Sequence, residues 1–405
     1  MSAAARRRQA LRDELFHPDT YADVRRPLLK ASMLPPRCYH DAQFHERERE
    51  RVFARSWSFV GDAGRIPAAG DWFTVAVAGN DLLVVRGDDG EVRCFANACR
   101  HRGCRLVTGS GNARTLRCPY HGWTYGLDGR LRGAPQMMHT RGFDADANGL
   151  VAVRLERWGP LLFVNPDDRA GDLASYLGAL PEMLACYDLE HLACTRRREI
   201  DIPCNWKIYY ENLMEPYHTP WVHAGGLALK NEDEGAAMLS GNSSELFGGG
   251  GEGSPVQLEH GDNHALLVTR HAGSRALLPG AEPFPAMRTL GGRAREGSQW
   301  LYVYPCTVLS FQRECVWYNQ IIPRGPTEMT LVIGSLFPAD TVARDDFATG
   351  VQPYYERLDR TAEEDFRIVV EQQAGLASPL ARAGRVSHLE AICHAHRNWL
   401  LDRLL

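Results

Sequence analysis

The strongest constraint on this chain is a pair of short ligand arms, Cys99-Arg100-His101 and Cys118-Pro119-Tyr120-His121. Each arm offers one thiol and one imidazole, and four such side chains can hold one metal ion or a small cluster. Gly103, Gly109, Gly111 and Gly122 surround the arms, where the backbone must turn tightly and approach what they hold. The flanking sequence is strand-like. The runs 72–77 and 82–85 are rich in β-branched and aromatic residues and are separated by Ala78-Gly79-Asn80. Asp88-Asp89-Gly90 and Asp128-Gly129 are hairpin signals, and the apolar run 161–164 closes the region. The arms are therefore expected on a small β domain.

Two Cys on one iron and two His on the other is the ligand set of a Rieske [2Fe–2S] centre. Imidazoles donate less negative charge than thiolates, so such a cluster sits at a higher reduction potential than an all-Cys one. Tetrahedral zinc also accepts two Cys and two His, but zinc fingers usually pair like with like, C-x-x-C then H-x₃₋₅-H. Here each arm mixes the two types, which favours the cluster.

With 405 residues the chain is large enough for a sizeable core and two domains. Its composition, 44% apolar and 24% charged, is that of an ordinary globular protein. A net charge of -4 with no long basic stripe argues against nucleic acid as a partner. The eleven cysteines are odd in number and scattered, which fits reduced thiols in a cytoplasmic setting better than a disulfide framework. Cys94 and Cys104 lie outside the ligand arms and are assigned to packing. The N-terminus is basic but lacks the apolar core of a secretory signal, and no apolar run is long enough to span a membrane. Without a secretory route the glycosylation pattern Asn242-Ser243-Ser244 is an accident of sequence. Gly109-Ser110-Gly111 is not a dinucleotide fingerprint, because no third Gly follows.

A second constellation lies at 211–223, which contains Glu215, His218 and His223. Histidines five apart do not share a face of a regular helix, since five residues turn the chain by roughly 500°. This excludes the H-E-x-x-H zinc helix. Pro220 stands between the two His and is expected to break the helix there, letting His223 swing back toward His218. Glu215 is expected on the same helical face as His218. Two His and one carboxylate make a facial triad that leaves open positions on Fe(II) for O₂. Glu215, Glu364 and Asp365 are all candidates for the carboxylate, and spacing does not choose among them.

Elsewhere, 41–58 reads as an amphipathic helix whose charges form a solvated face. Residues 225–298 show no clear pattern; the glycine-rich run after Phe247 is read as a surface insertion rather than a lid. Four strand runs between 299 and 337 predict an antiparallel sheet, followed by helices over 353–375 and 387–405. His388, His394 and His396 on the last helix are assigned to packing or the surface. Tyr209, Tyr210, Tyr217, Trp221, Phe247, Trp300, Tyr302 and Phe311 are aromatic and near the right segments for a pocket. Most are expected in the core, with one or two left to stack on an arene or face a cationic nitrogen.

Taken together, these segments resemble the α subunit of Rieske non-haem iron oxygenases over most of the chain. Cys99-Arg100-His101-Arg102-Gly103 and Cys118-Pro119-Tyr120-His121-Gly122-Trp123 look like that family's cluster loops. Asn205-Trp206-Lys207 followed by Glu215, His218 and His223 looks like its iron segment, and Glu364-Asp365 with Gln372 and Gly375 like its C-terminal ligand helix. The resemblance implies that His218, His223 and Asp365 ligate a mononuclear Fe(II). Glu215 then becomes an acid hydrogen-bonded between His218 and the cluster ligand His121 of a neighbouring subunit. The family more often has Asp there; Glu resembles a subset that includes oxygenases acting on quaternary ammonium compounds.

The fold implied is α+β: an N-terminal arm over 1–58, a Rieske β domain over 59–166, and a catalytic domain of helix-wrapped antiparallel sheet over 167–405. A ring-shaped homotrimer is implied as well. The function implied is that of a terminal oxygenase using O₂ and electrons from NADH or NADPH, delivered by a partner ferredoxin or flavin reductase. Its substrate is expected to be a small organic compound, an aromatic to be hydroxylated or, alternatively, an amine or ether to be demethylated. A simple Rieske electron carrier is the competing class, but it leaves His218, His223 and the last 240 or so residues without a task.

Overall fold

The structure is a computed structural model, and it describes residues 14–223, 256–271 and 273–405. The chain divides into two compact units, Phe53–Tyr176 and a second formed by Met1–Val52 with Leu177–Leu405. The segment expected as a separate arm over 1–58 is thus no layer of its own: up to Val52 it belongs to the larger unit.

The smaller unit is built from ten strands: β1 (Ser58–Asp62), β2 (Asp71–Val77), β3 (Asn80–Arg86), β4 (Val92–Ala96), β5 (Ser110–Asn112), β6 (Leu116–Arg117), β7 (Thr124–Tyr125), β8 (Leu131–Gly133), β9 (Ala152–Trp158) and β10 (Leu161–Asn165). Seven form an antiparallel sheet in the order β1-β10-β9-β4-β3-β2-β5, and β6-β7-β8 form a small second sheet. The turn signals at 78–80, 88–90 and 128–129 all fall where one strand turns into its paired neighbour, Asn80 being the first residue of β3.

Alternation along β3 and β4 splits the unit into two cores. Leu82, Val84 and Cys94 pack with Val60, Phe73 and Leu162. Leu83, Val85 and Phe95 face the other way, onto Leu116, Trp123, Tyr125 and the two arm cysteines. The ligand arms therefore grow out of one of the two cores.

The larger unit has a seven-stranded antiparallel sheet, in the order β11-β17-β16-β15-β14-β13-β12. Its strands are β11 (Leu192–Ile202), β12 (Val256–Gly261), β13 (His264–Arg270), β14 (Gly297–Val303), β15 (Thr307–Phe311), β16 (Val316–Gly325) and β17 (Glu328–Pro338). The last four coincide with the runs expected from the sequence. The first three were not foreseen. β11 is an edge strand whose Arg196 and Arg198 pair with Asp359, and its arginine row hides the period of a strand.

Five helices position the site: α1 (Ala42–Glu48), α2 (Trp206–Met214), α3 (Thr219–Val222), α4 (Gln352–Leu376) and α5 (Ala391–Leu404). α2 is sunk in the unit, with every residue but Leu213 buried. Its charged side chains are matched one by one. Lys207 Nζ meets the fully buried Glu48 of α1 at 2.7 Å, and Trp206 Nε1 donates to the same carboxylate at 3.1 Å. Arg397 of α5 donates to Glu211 at 3.1 and 2.9 Å, and the Tyr39 hydroxyl donates to it as well. The charges of 41–58 are therefore not simply a solvated face: Glu48 is a buried counter-ion.

His394 binds the Arg26 carbonyl, and His396 is buried among Trp206, Tyr210, Tyr304 and Trp399. No helix among the described residues is long and apolar enough to cross a membrane, and all eleven cysteines are free. Phe247, the glycine run and Asn242 lie outside the described residues.

Candidate metal centres

The two arms of the smaller unit are built to one pattern. In the first, Gly103 N–H donates to Cys99 O at 2.8 Å and Cys99 N–H donates to Cys104 O at 2.8 Å. In the second, Gly122 N–H donates to Cys118 O at 3.1 Å and Cys118 N–H to Trp123 O at 2.7 Å. Both glycines stand four residues after the cysteine with φ near +70°, a conformation that L side chains rarely adopt. The histidine stands two residues after the cysteine in the first arm and three after it in the second.

Cys99 and Cys118 are buried, while His101 and His121 are exposed with rings 4.7 Å apart. His101 stacks on Trp123 at 5.0 Å, and Tyr120 lies against His121 at 3.7 Å. The Tyr125 hydroxyl is 3.2 Å from Cys99 Sγ and accepts the Arg100 N–H at 3.0 Å. Burial alone pushes the Cys118 thiol up. The backbone N–H groups of Tyr120 and His121 and the neighbouring thiols of Cys99 and Cys104 outweigh burial and hold it below the usual range. Thiolate is the form that binds iron.

In the larger unit α2 ends at Met214. Two of its last carbonyls are satisfied by side chains: Leu213 O accepts the Tyr302 hydroxyl at 2.8 Å and Glu211 O the Cys393 thiol at 3.4 Å. Glu215 is extended, with φ -127° and ψ 140°. The helix break thus falls before His218, at Glu215-Pro216, and not at Pro220 as the sequence suggested. Pro220 instead sits in the first turn of α3, where its missing N–H costs nothing.

Nor do Glu215 and His218 share a helical face; they meet because the chain turns. Glu215 Oε2 accepts the backbone N–H of Tyr217, and of His218 at 3.1 Å, while Oε1 accepts His218 Nδ1 at 2.6 Å. One turn of α3 then brings the His223 ring to 5.3 Å from that of His218.

The third member comes from α4. Asp365 Oδ1 lies 3.2 Å from His223 Nε2 and 3.6 Å from His218 Nε2. These are the three residues whose ligand atoms lie within 4.8 Å of one another, the one such group among the described residues. Asp365 Oδ1 is buried and makes no hydrogen bond among them. Glu364, next in the helix, accepts His223 Nδ1 at 2.6 Å.

Each His therefore gives its Nδ1 proton to a carboxylate, which turns the Nε2 lone pair inward. Two neutral nitrogens and one orphaned carboxylate oxygen facing one point form a donor set for a divalent cation with open positions, and Fe(II) fits it. Burial alone would lower the His223 imidazole; the carboxylates of Asp365 and Glu364 outweigh it and raise it.

Of the three carboxylates left open by spacing, Asp365 enters the triad, while Glu215 and Glu364 each hold one histidine from behind. The symmetry between those two acids is not visible in the sequence. Of the candidate pocket aromatics, Tyr209, Tyr210, Tyr302 and Phe311 are buried, and Tyr217 and Trp221 are exposed.

Comparison with known proteins places these features. Residues 189–405 match the family described as "Ring hydroxylating alpha subunit (catalytic domain)", and residues 56–144 match the "Rieske [2Fe-2S] domain". The chain is 39% identical over 206 residues to the glycine betaine monooxygenase oxygenase subunit of Chromohalobacter salexigens, covering 51% of this chain and 46% of that protein. The matched part thus spans about half the length of that relative. The chloroplastic choline monooxygenase of Arabidopsis thaliana is 28% identical over 401 residues, covering 95% of this chain and 86% of its own. Among solved structures, a quaternary ammonium Rieske monooxygenase in complex with its substrate L-carnitine aligns with a TM-score of 0.72 at 24% identity, over 93% of this chain and 96% of that one.

Proposed function

We propose, from the premise that the chain belongs to the family of ring-hydroxylating alpha subunits and carries a Rieske [2Fe–2S] domain, that it is a terminal oxygenase for small quaternary ammonium compounds. The observation that carries this reading is the triad of His218, His223 and Asp365, the last two buried and the first half-buried, with both outer imidazole nitrogens held by carboxylates. In this proposal Cys99, His101, Cys118 and His121 hold the cluster, and the triad holds the iron. When bound, the cluster supplies electrons one at a time and the iron supplies oxygen activation.

The chain's own residues do the positioning. Glu215 and Glu364 fix the tautomers of His218 and His223 and aim both rings at the third ligand. The buried side chains behind α2 keep that aim rigid. Glu215 is also the acid we assign to meet His121 of a neighbouring subunit in a homotrimer, and the His121 ring is exposed. In the overall reaction one oxygen atom of O₂ enters a C–H bond beside the nitrogen and the other leaves as water. Two electrons from NAD(P)H, through a ferredoxin or flavin reductase, and two protons complete the balance. The hydroxylated carbon then bears nitrogen and oxygen together; its hydroxyl loses a proton to solvent as the C–N bond breaks, the bonding pair stays on nitrogen, and a carbonyl compound and a tertiary amine result.

Aromatic hydroxylation stood first in the sequence reading. The names of the relatives, on glycine betaine and choline, favour the quaternary ammonium reading instead, as does Glu at position 215. The test is a screen of glycine betaine, L-carnitine, choline and simple aromatic acids with a reductase supplied. NADH consumption is matched to product by mass spectrometry. Coupled turnover of at least one quaternary ammonium compound is expected. Coupled turnover of aromatics alone would refute the assignment.

A further inference from the structure

α4 carries a second charged group close to the triad that none of the steps above employs. Arg357 stands eight residues before Asp365 on α4, one turn before Thr361. Arginines in helices lean toward the N-terminus. This one bends the other way: Arg357 Nη1 donates to Thr361 Oγ1, whose own proton is committed to the Arg357 carbonyl at 2.9 Å. The guanidinium is thereby turned toward the ligand end of the helix. Thr361 is four residues, about 6 Å of helix rise, from Asp365.

Arg357 is partly buried, and burial pulls its guanidinium below the ordinary value. The carboxylates of Glu364 and Asp365 are near enough to oppose that shift but do not cancel it, and Arg275 adds a like charge. No carboxylate among the described residues lies in ion-pair contact with Arg357; Thr361 is its side-chain partner. A guanidinium has five N–H donors in a planar fork, and among the described residues Thr361 Oγ1 is the one acceptor that this fork meets. A desolvated cation without a counter-ion is costly, so such a group is commonly completed by an anion that arrives.

We propose that Arg357 binds the carboxylate of the substrate and so selects quaternary ammonium carboxylates, such as glycine betaine or carnitine, over the alcohol choline. This rests on the function proposed above. The fork matches a carboxylate by two parallel hydrogen bonds, which a hydroxyl does not reproduce. With the carboxylate pinned one turn along α4, the trimethylammonium end of a short betaine reaches back toward the triad. Arg357 is then a specificity-determining residue, and Thr361 its positioning partner.

The test is anaerobic calorimetric titration of the iron-loaded protein with glycine betaine, L-carnitine and choline, on wild type, Arg357→Gln, Arg357→Lys and Thr361→Val. Arg357→Gln is expected to weaken the two zwitterions roughly 10- to 100-fold. Choline should shift by less than about threefold, since it offers the fork no anion. Arg357→Lys should recover part of the loss, and Thr361→Val should lose several-fold for the zwitterions alone. If Arg357→Gln leaves the zwitterions unchanged, or weakens choline equally, the inference fails while the proposed function stands. A wild type that binds choline but neither zwitterion also defeats it. A wild type that binds none of the three defeats the function and this inference together. Should Arg357→Gln not fold, judged by circular dichroism and cluster absorption, the Lys and Val variants decide alone.

Discussion

The two candidate metal centres are built in opposite ways. At the cluster arms the cysteines are buried and the imidazoles are exposed, and among the described residues no carboxylate holds either ring. At the triad both imidazoles have a carboxylate behind them and the third ligand is itself buried. The arms are shaped by hydrogen bonds that span four or five residues. The triad joins residues 218, 223 and 365 and depends on a buried helix whose charges are matched by distant segments. A relay centre must present its edge to another protein surface, whereas an oxygen-activating centre must exclude water; the difference in burial is the one expected from the roles proposed for the two sites.

Five single-residue variants separate the two styles, in order of falling effect. His218→Ala should abolish product formation and lower iron from about three to about two per chain, with the visible spectrum of the cluster unchanged. Cys118→Ser should do the reverse and bleach the cluster. Loss of both signals in either variant would show that the centres are not held independently.

Next in size is Lys207→Met, which strands Glu48 as an unpaired buried charge. It should destabilise the larger unit by about 3–5 kcal/mol in denaturant titration, and the Glu48→Leu/Lys207→Met double variant should regain most of that. Equal losses in the single and double variants would remove the ion pair as the cause.

Glu364→Gln comes third. Gln can still orient the His223 ring but carries no charge, so iron affinity measured by competition with a chelator should fall roughly 10- to 100-fold. The cluster should be indifferent to the change. An unaltered affinity would make Glu364 an ordinary surface acid.

The smallest effect belongs to the other centre. Tyr125→Phe removes a hydroxyl 3.2 Å from Cys99 Sγ. Hydrogen bonds to sulfur stabilise the more negative reduced cluster. Voltammetry should therefore show a potential lower by on the order of 50 mV, the equivalent of about 1 kcal/mol. Iron content should not change.

The same contrast explains what could be read in the sequence. The cluster arms were legible because their chemistry is local: cysteine, histidine and glycine at fixed offsets. His218 and His223 were legible as a pair, but the reason they meet was not. Pro220 looked like the break, whereas the helix stops at Glu215 because Glu215 binds the N–H groups of the next turn. Three carboxylates competed for one role, and only the packing of α4 against the histidines assigns Asp365 to the triad and Glu364 to the His223 ring. Glu48 looked like one charge among many on an exposed helix; its partner lies more than 150 residues away. Strand β11 was missed because three consecutive arginines mask its alternation.

Glu215 serves the backbone and a side chain at once. Its carboxylate closes the turn that carries His218 and grips the ring of the same residue, so acid and imidazole form one mechanical unit. A shift of the chain before Glu215 carries acid and imidazole along together, because both belong to the same closed turn. Thermal breathing around the pocket is in this way kept out of the one contact on which the aim of the His218 ring depends.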